Sequence, residues 1–150
     1  MFQAIAHIGF TVTDLDRSVA FYQDVLGLTY QGEMLMEGPE TAQLFQRPGC
    51  RARVAYLRAA QEQAPPVELI QFLDEPCRVS PPSLFQTSIS ELCFSTDNID
   101  QEYARLLAQG VRFLSEPQTF DSTAYGFGKS RAIYFFDPDG NVLELIQPID

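Results

Sequence analysis

Residues 7–16, HIGFTVTDLD, fall onto residues 91–100, ELCFSTDNID, when the chain is slid along itself by 84 positions. Phe10 meets Phe94, Thr11 meets Ser95, Asp14 meets Asn98, Leu15 meets Ile99 and Asp16 meets Asp100. Further on, Val67-Glu68-Leu69-Ile70-Gln71 falls onto Leu143-Glu144-Leu145-Ile146-Gln147, an identical ELIQ at an offset of 76. Two matches in the same order mark a duplicated module, because internal self-similarity is the signature of a repeated structural unit.

Each opening block alternates as a strand does, with Ile8, Phe10 and Val12 on one face and His7, Gly9 and Thr11 on the other. Asp14 is placed to cap a helix whose apolar residues Leu15, Val19, Tyr22 and Leu26 recur at helical spacing until Gly27. Asn98 opens the twin helix, through Ile99, Tyr103, Leu106 and Leu107 to Gly110. Three β-rich runs complete each half: 29–36, 51–57 and 67–72, then 112–114, 131–136 and 142–146. The order is βαβββ, twice. The expected fold is therefore α+β, a single domain of two modules, about 1–73 and 88–150, whose mixed sheets curl into one cup. Pro76, Pro81 and Pro82 cannot donate to a strand ladder and mark 74–87 as the linker. A half of about 70 residues has a marginal core alone, so the modules are expected to pack together within one chain or between the chains of a homodimer.

Composition narrows the function. The chain has 150 residues, 10 Lys and Arg against 20 Asp and Glu, and a net charge of −10. Phosphate backbones require clustered cations, so nucleic acid is not an expected partner. Twelve Phe and six Tyr supply apolar surface for a core without disulfides. Cys50, Cys77 and Cys93 lack both CxxC spacing and a nearby His, and are read as reduced thiols. No basic leader opens the sequence and no apolar run reaches the length of a membrane span, which points to a cytoplasmic protein acting on a small molecule.

Strand parity brings four side chains to one side. His7 faces away from the helix in the first strand and Glu91 takes the same station in the second copy. Glu68 and Glu144 point away from Leu69 and Leu145 in the closing strands. The one imidazole of the chain and three carboxylates thus occupy two repeated stations in each half. Carboxylates gathered in a cup without a cation would be costly, which makes a metal the natural companion.

At this point the sequence resembles the vicinal-oxygen-chelate proteins, the glyoxalase, bleomycin-resistance and dioxygenase superfamily. HIGFTVTDLDRSVAFYQDVLGL near the start and AIYFFDPDGNVLELIQ near the end carry the likeness, and Asp137-Pro138-Asp139-Gly140-Asn141 is a tight turn that registers Glu144 on the next strand. The resemblance implies His7, Glu68, Glu91 and Glu144 as metal ligands, two per module. It also implies Glu144 as general base, with Glu68 as its counterpart. Glu91 departs from the family, which usually has histidine there; the departure weakens assignment to glyoxalase I and also an extradiol dioxygenase reading, which needs two histidines. The implied cofactor is a divalent ion, Mn, Fe, Ni, Mg or Zn, with an oxygen-rich ligand set favouring a six-coordinate ion over structural zinc.

Two functions stay open. One is a metal-dependent lyase or isomerase of the glyoxalase I or epimerase type, acting on a small carbonyl substrate through a metal-bound enediolate. The other is a metal-free protein that sequesters a drug. Lys129 and Arg131 are expected to meet an anionic substrate group, at the end of a 115–130 loop able to act as a lid. Tyr56 and Tyr134, on the third strand of each half, are further substrate contacts, although core packing is the simpler reading of both.

Overall fold

A computed structural model of the protein describes residues 3–61, 63–79, 84, 85, 87 and 89–149. Two compact units divide it, Met1–Ser80 and Pro81–Asp150. In the first, β1 (Ile8–Thr11), α1 (Leu15–Ala20), β2 (Thr29–Met36), α2 (Pro39–Leu44), β3 (Ala52–Arg58) and β4 (Val67–Phe72) follow in turn. The second runs β5 (Leu92–Ser95), α3 (Ile99–Ala108), β6 (Gln118–Asp121), β7 (Lys129–Phe136) and β8 (Val142–Ile149). Both sheets have four strands in one spatial order, β1-β4-β3-β2 and β5-β8-β7-β6. In each, the opening strand is parallel to the closing strand and the other pairs are antiparallel. The α+β duplication inferred from the sequence is the architecture, with α2 added to the first copy.

The helices begin and end where their flanking residues dictate. A carboxylate or amide oxygen at the cap satisfies an N–H that the first turn leaves without a helical partner. Asp14 Oδ1 accepts from the Arg17 N–H at 3.0 Å, and Asn98 Oδ1 accepts from the Gln101 N–H at 3.1 Å. Gly27 and Gly110, at φ 77° and 81°, turn the chain into the left-handed region that a side chain disfavours. The first helix is shorter than its spacing implies. It widens at Phe21–Val25 into a π turn, in which the Leu26 N–H reaches the Phe21 carbonyl at 3.0 Å.

The glutamine of each ELIQ pins helix to sheet. Gln71 Oε1 accepts from the Leu15 N–H at 3.0 Å while its Nε2 donates to the Thr13 carbonyl at 3.2 Å. Gln147 repeats this with Ile99 N–H at 3.0 Å and the Asp97 carbonyl at 2.9 Å. The same face carries the core: Val12, Leu15, Tyr22, Ala55, Leu57 and Leu69 are fully buried in the first unit, and Ile99, Phe135 and Leu143 in the second. Each such aliphatic side chain contributes about 1.5–3 kcal/mol on burial. An arginine clasps each helix from this face. Arg53 Nη2 donates to Asp16 Oδ1 at 2.8 Å, and Arg131 Nη2 to Asp100 Oδ1 at 2.8 Å.

The second copy departs from the expected strand at 112–114. Phe113 makes one isolated bridge to Phe135, and its ring instead joins Tyr103 at 4.9 Å and Phe135 at 5.7 Å between centroids. Pro117 then breaks any ladder, and pairing resumes at β6, which forms a hairpin with β7 from Gln118↔Ala132 to Asp121↔Lys129. The expected 115–130 loop is thus largely this hairpin, closed by a 3₁₀ turn at Thr123–Tyr125. No helix among the described residues is long and apolar enough to cross a membrane.

Candidate metal and carboxylate sites

Strand register sets out a row of side chains on the face of each sheet opposite the helix. In the first unit Gly9, Glu68, Tyr56 and Gly32 lie across from one another on β1, β4, β3 and β2. In the second unit Cys93, Glu144 and Tyr134 align on β5, β8 and β7. Gln71 and Leu69 turn toward α1, so alternation turns Glu68 away from it.

Glu68 is only 8% exposed, and a carboxylate so buried requires partners. Tyr56 supplies one: its hydroxyl donates to Oε2 in a short hydrogen bond. That bond, with burial and the charge of Glu68 behind it, pushes the Tyr56 hydroxyl up to about 12. His7 stands on the other side, with Nε2 3.6 Å from Glu68 Oε1 and its ring edge-on to Tyr56 at 6.0 Å between centroids. Gly9 makes this possible. A β-carbon there would lie 3.2 Å from Glu68 Oε1, so the absent side chain leaves the hollow that the carboxylate occupies.

The second unit carries the same row with different neighbours. Cys93 stands where Gly9 does. It is exposed by surface area, yet its thiol is pushed up to about 12, first by the desolvation its neighbours impose, then by a hydrogen bond to Glu144 and the charges of Glu144 and Glu91. Tyr134 is also raised, by burial first and then by Glu144, Glu91 and Cys93. Unlike Tyr56, it makes no hydrogen bond to its glutamate. Glu91, Cys93, Glu144 and Tyr134 therefore share one electrostatic neighbourhood. Within either unit, no three His, Cys, Asp or Glu side chains among the described residues group closely enough to hold a metal ion. The first unit pairs His7 with Glu68, and in the second the charges of Glu144 and Glu91 both bear on Cys93.

The tyrosines correct the simpler reading of them as core residues, since both lie in the carboxylate rows. Lys129 and Arg131 move the other way. They share the helix-bearing face of β7 with Ile133 and Phe135, on the other side of the sheet from Tyr134 and Glu144. Arg131 is held by Asp100 and Lys129 lies 3.9 Å from Asp121, so both cations expected to meet an anionic substrate group stand beside carboxylates of the chain. Sequence reasoning also passed over Gly9 and Cys93, whose signal was their coincidence at the offset of 84. A cavity of about 470 Å³ opens beside Tyr56 in the first unit, lined also by Gln31, Gly32, Met34, Arg58 and Pro66.

A family model described as the glyoxalase/bleomycin resistance protein/dioxygenase superfamily matches residues 4–145. The chain is 29% identical over 147 residues to a 2-epi-5-epi-valiolone epimerase of an Actinomyces species, covering 95% of this chain and 78% of that protein. The fold is shared with a glyoxalase family protein from Bacillus cereus, at a TM-score of 0.84 and 18% identity over 100% of this chain and 97% of that one. A fosfomycin resistance protein, FosX, from Listeria monocytogenes, solved in complex with Mn(II) and a sulfate ion, matches at a TM-score of 0.60 and 20% identity over 99% and 95% of the two chains.

Proposed function

Since the chain belongs to the glyoxalase/bleomycin resistance protein/dioxygenase superfamily, we propose that it is a divalent-metal-dependent isomerase or lyase acting on a small carbonyl compound, as a cytoplasmic homodimer. The observation that carries the reading is the pairing of His7 with the buried Glu68 carboxylate over the Gly9 hollow. A nitrogen and an oxygen donor 3.6 Å apart on one face fit a shared cation, and a buried carboxylate gains from one. His7, Glu68, Glu91 and Glu144 would hold the ion. One imidazole with three carboxylates suits Mn²⁺, Fe²⁺, Ni²⁺ or Mg²⁺ more than structural zinc. Support for a metal in this fold comes from FosX with its Mn(II), and for proton movement beside a carbon centre from the relative named as an epimerase.

Bound there, the ion would act as a Lewis acid that makes a proton next to a substrate carbonyl easier to remove. Glu144 is the proposed base that takes this proton. The two glutamates differ in a way that favours the choice. Glu68 has one oxygen committed to the Tyr56 hydroxyl, whereas Tyr134, which takes the same place beside Glu144, makes no hydrogen bond to it. Tyr56 orients Glu68 against His7, and Glu68 is the second base available for returning a proton.

The test is metal analysis of untagged protein, then melting with Mn²⁺, Ni²⁺, Zn²⁺ or EDTA for the unaltered chain and His7→Ala. An ion at a hundredfold excess over its dissociation constant stabilises the folded state by about 2.7 kcal/mol, or roughly 5–10 °C in a chain of this size. His7→Ala should lose most of that gain. Identical melting in Mn²⁺ and EDTA would overturn the metal reading in favour of metal-free ligand capture.

A further inference from the structure

A second cavity in the first unit, of about 420 Å³, shares no lining residue with the carboxylate row or with the cavity beside Tyr56. It opens where β3 begins and β4 ends, past the end of α2. Phe72, in its wall, lies four residues beyond Glu68, about 13 Å along the strand.

The turn after α2 builds one wall. The Arg47 N–H donates to the Ala42 carbonyl at 2.8 Å and the Cys50 N–H to the Arg47 carbonyl at 3.2 Å, which folds 45–50 back on itself. Opposite, the Leu73 N–H donates to the Arg51 carbonyl at 3.0 Å and Asp74 Oδ2 accepts from the Arg51 N–H at 3.1 Å, so the chain leaving β4 runs beside 50–51. The lining has two parts. Phe45 and Phe72, edge-on at 5.2 Å between centroids, form the apolar part with Pro48, Pro76 and the thiols of Cys50 and Cys77. The charged part holds two cations and two anions, already matched. Arg51 Nη2 donates to Asp74 Oδ1 at 2.7 Å, and Arg47 Nη2 lies 3.1 Å from Glu75 Oε2.

These two ion pairs are not alike. Arg51 holds Asp74 through its Nε and its backbone N–H as well, whereas the Arg47 and Glu75 side chains are both more than half exposed. An exposed pair contributes little, so it opens to a ligand at small cost. The balance of charge then decides what the ligand carries. An anion on Arg47 would leave Glu75 without its partner, and a cation on Glu75 would do the same to Arg47. A molecule bearing both charges serves both ends and replaces one ion pair with two.

We propose that this cavity binds a free α-amino acid with an apolar side chain, its carboxylate on Arg47, its ammonium on Glu75 and its side chain against Phe45 and Phe72. The volume falls within the range of small-molecule pockets, about 300–1,000 Å³. An aromatic side chain gains most, because it meets the two phenyl rings edge-on or offset. The site is separate from the metal site proposed above and does not depend on it.

The probe is L-phenylalanine, titrated into the full chain while the amide resonances of Cys50 and Arg51 are followed by NMR. Glycine lacks the side chain, phenylpropionate the ammonium and phenethylamine the carboxylate. Each should bind about tenfold more weakly or worse, the loss expected for one charge-assisted bond or for the apolar contact. Arg47→Gln and Glu75→Gln should each weaken phenylalanine binding to the same degree, and urea melts check that both variants keep the fold. Phenylalanine should also slow the alkylation of Cys77 by iodoacetamide, read by peptide mass spectrometry, and leave that of Cys93 unchanged. Amides that do not respond to phenylalanine, equal binding by phenylpropionate, phenethylamine or glycine, or unchanged binding in either folded variant overturns the proposal.

Discussion

Removing one oxygen atom, in Tyr56→Phe, probes the bond that holds the buried Glu68 carboxylate. The hydroxyl donates to a carboxylate in a residue 8% exposed, and a hydrogen bond to a charged group contributes about 1.5–3 kcal/mol. Because Glu68 is then buried with His7 alone beside it at 3.6 Å, the upper part of that range applies, about 2–3 kcal/mol. In a chain of 150 residues this lowers the melting temperature by roughly 5–10 °C. Tyr134→Phe is the internal control and should cost less than about 1 kcal/mol, because no hydrogen bond joins Tyr134 to Glu144. Urea melts of Tyr56→Phe, Glu68→Gln and the double variant, all in EDTA, give the coupling directly. The pH dependence has a fixed sign. The hydroxyl titrates near 12 when folded against 10 when free, so the unfolded chain loses its proton first. The advantage of the unaltered protein over Tyr56→Phe is full below pH 10 and is lost as the pH rises through 12. Equal costs for the two tyrosines, or strict additivity in the cycle, would refute the reasoning.

Glu144→Gln keeps size and one oxygen but removes basicity, so turnover should fall on the order of a hundredfold or more with little change in melting temperature. Uptake of solvent deuterium beside the carbonyl of candidate substrates, compared with Glu68→Gln, measures this, and near-normal exchange would sink the assignment. Arg131→Gln should be less stable at pH 7, because the guanidinium holds the Asp100 carboxyl below the usual carboxylate range. The difference should close in urea melts as the pH falls through that lowered value, and a gap unchanged in acid would show that the clasp is not electrostatic.

The parts of the fold legible in the sequence are those governed by local chemistry. β2 and β4 occupy the runs their alternation marks, and Asp14 and Asn98 cap the helices they precede, since capping and alternation need only near neighbours. The run at 112–114 misled because Phe113 is apolar for another reason, its ring being packed between Tyr103 and Phe135, a contact set by distant residues. The carboxylate stations followed from parity within a strand. The partner of Glu68 did not, because placing Tyr56 opposite it depends on how the β3–β4 connection sets the register. The surroundings of Arg131 were hidden by the same gap. Its charge was visible, but the face it serves follows from the ladder and from Asp100, far away in sequence.

At the stations that both carboxylate rows share, the differences in residue type lie on one segment. His7 against Glu91 and Gly9 against Cys93 are differences in or beside the opening strand, whereas Tyr56 with Glu68 and Tyr134 with Glu144 retain the same residue types on the two strands that follow it in the sheet. Duplication of a gene makes two equal copies, and equality is a poor starting point for chemistry that needs unlike partners. At the stations the two rows share, the contrast in residue type is written on a stretch of three residues in each copy, 7–9 and 91–93, apart from the helix clips and the core. A lineage can therefore rewrite what one half recognises without repacking either half, and a library confined to those two triplets would sample that chemistry while leaving the scaffold untouched.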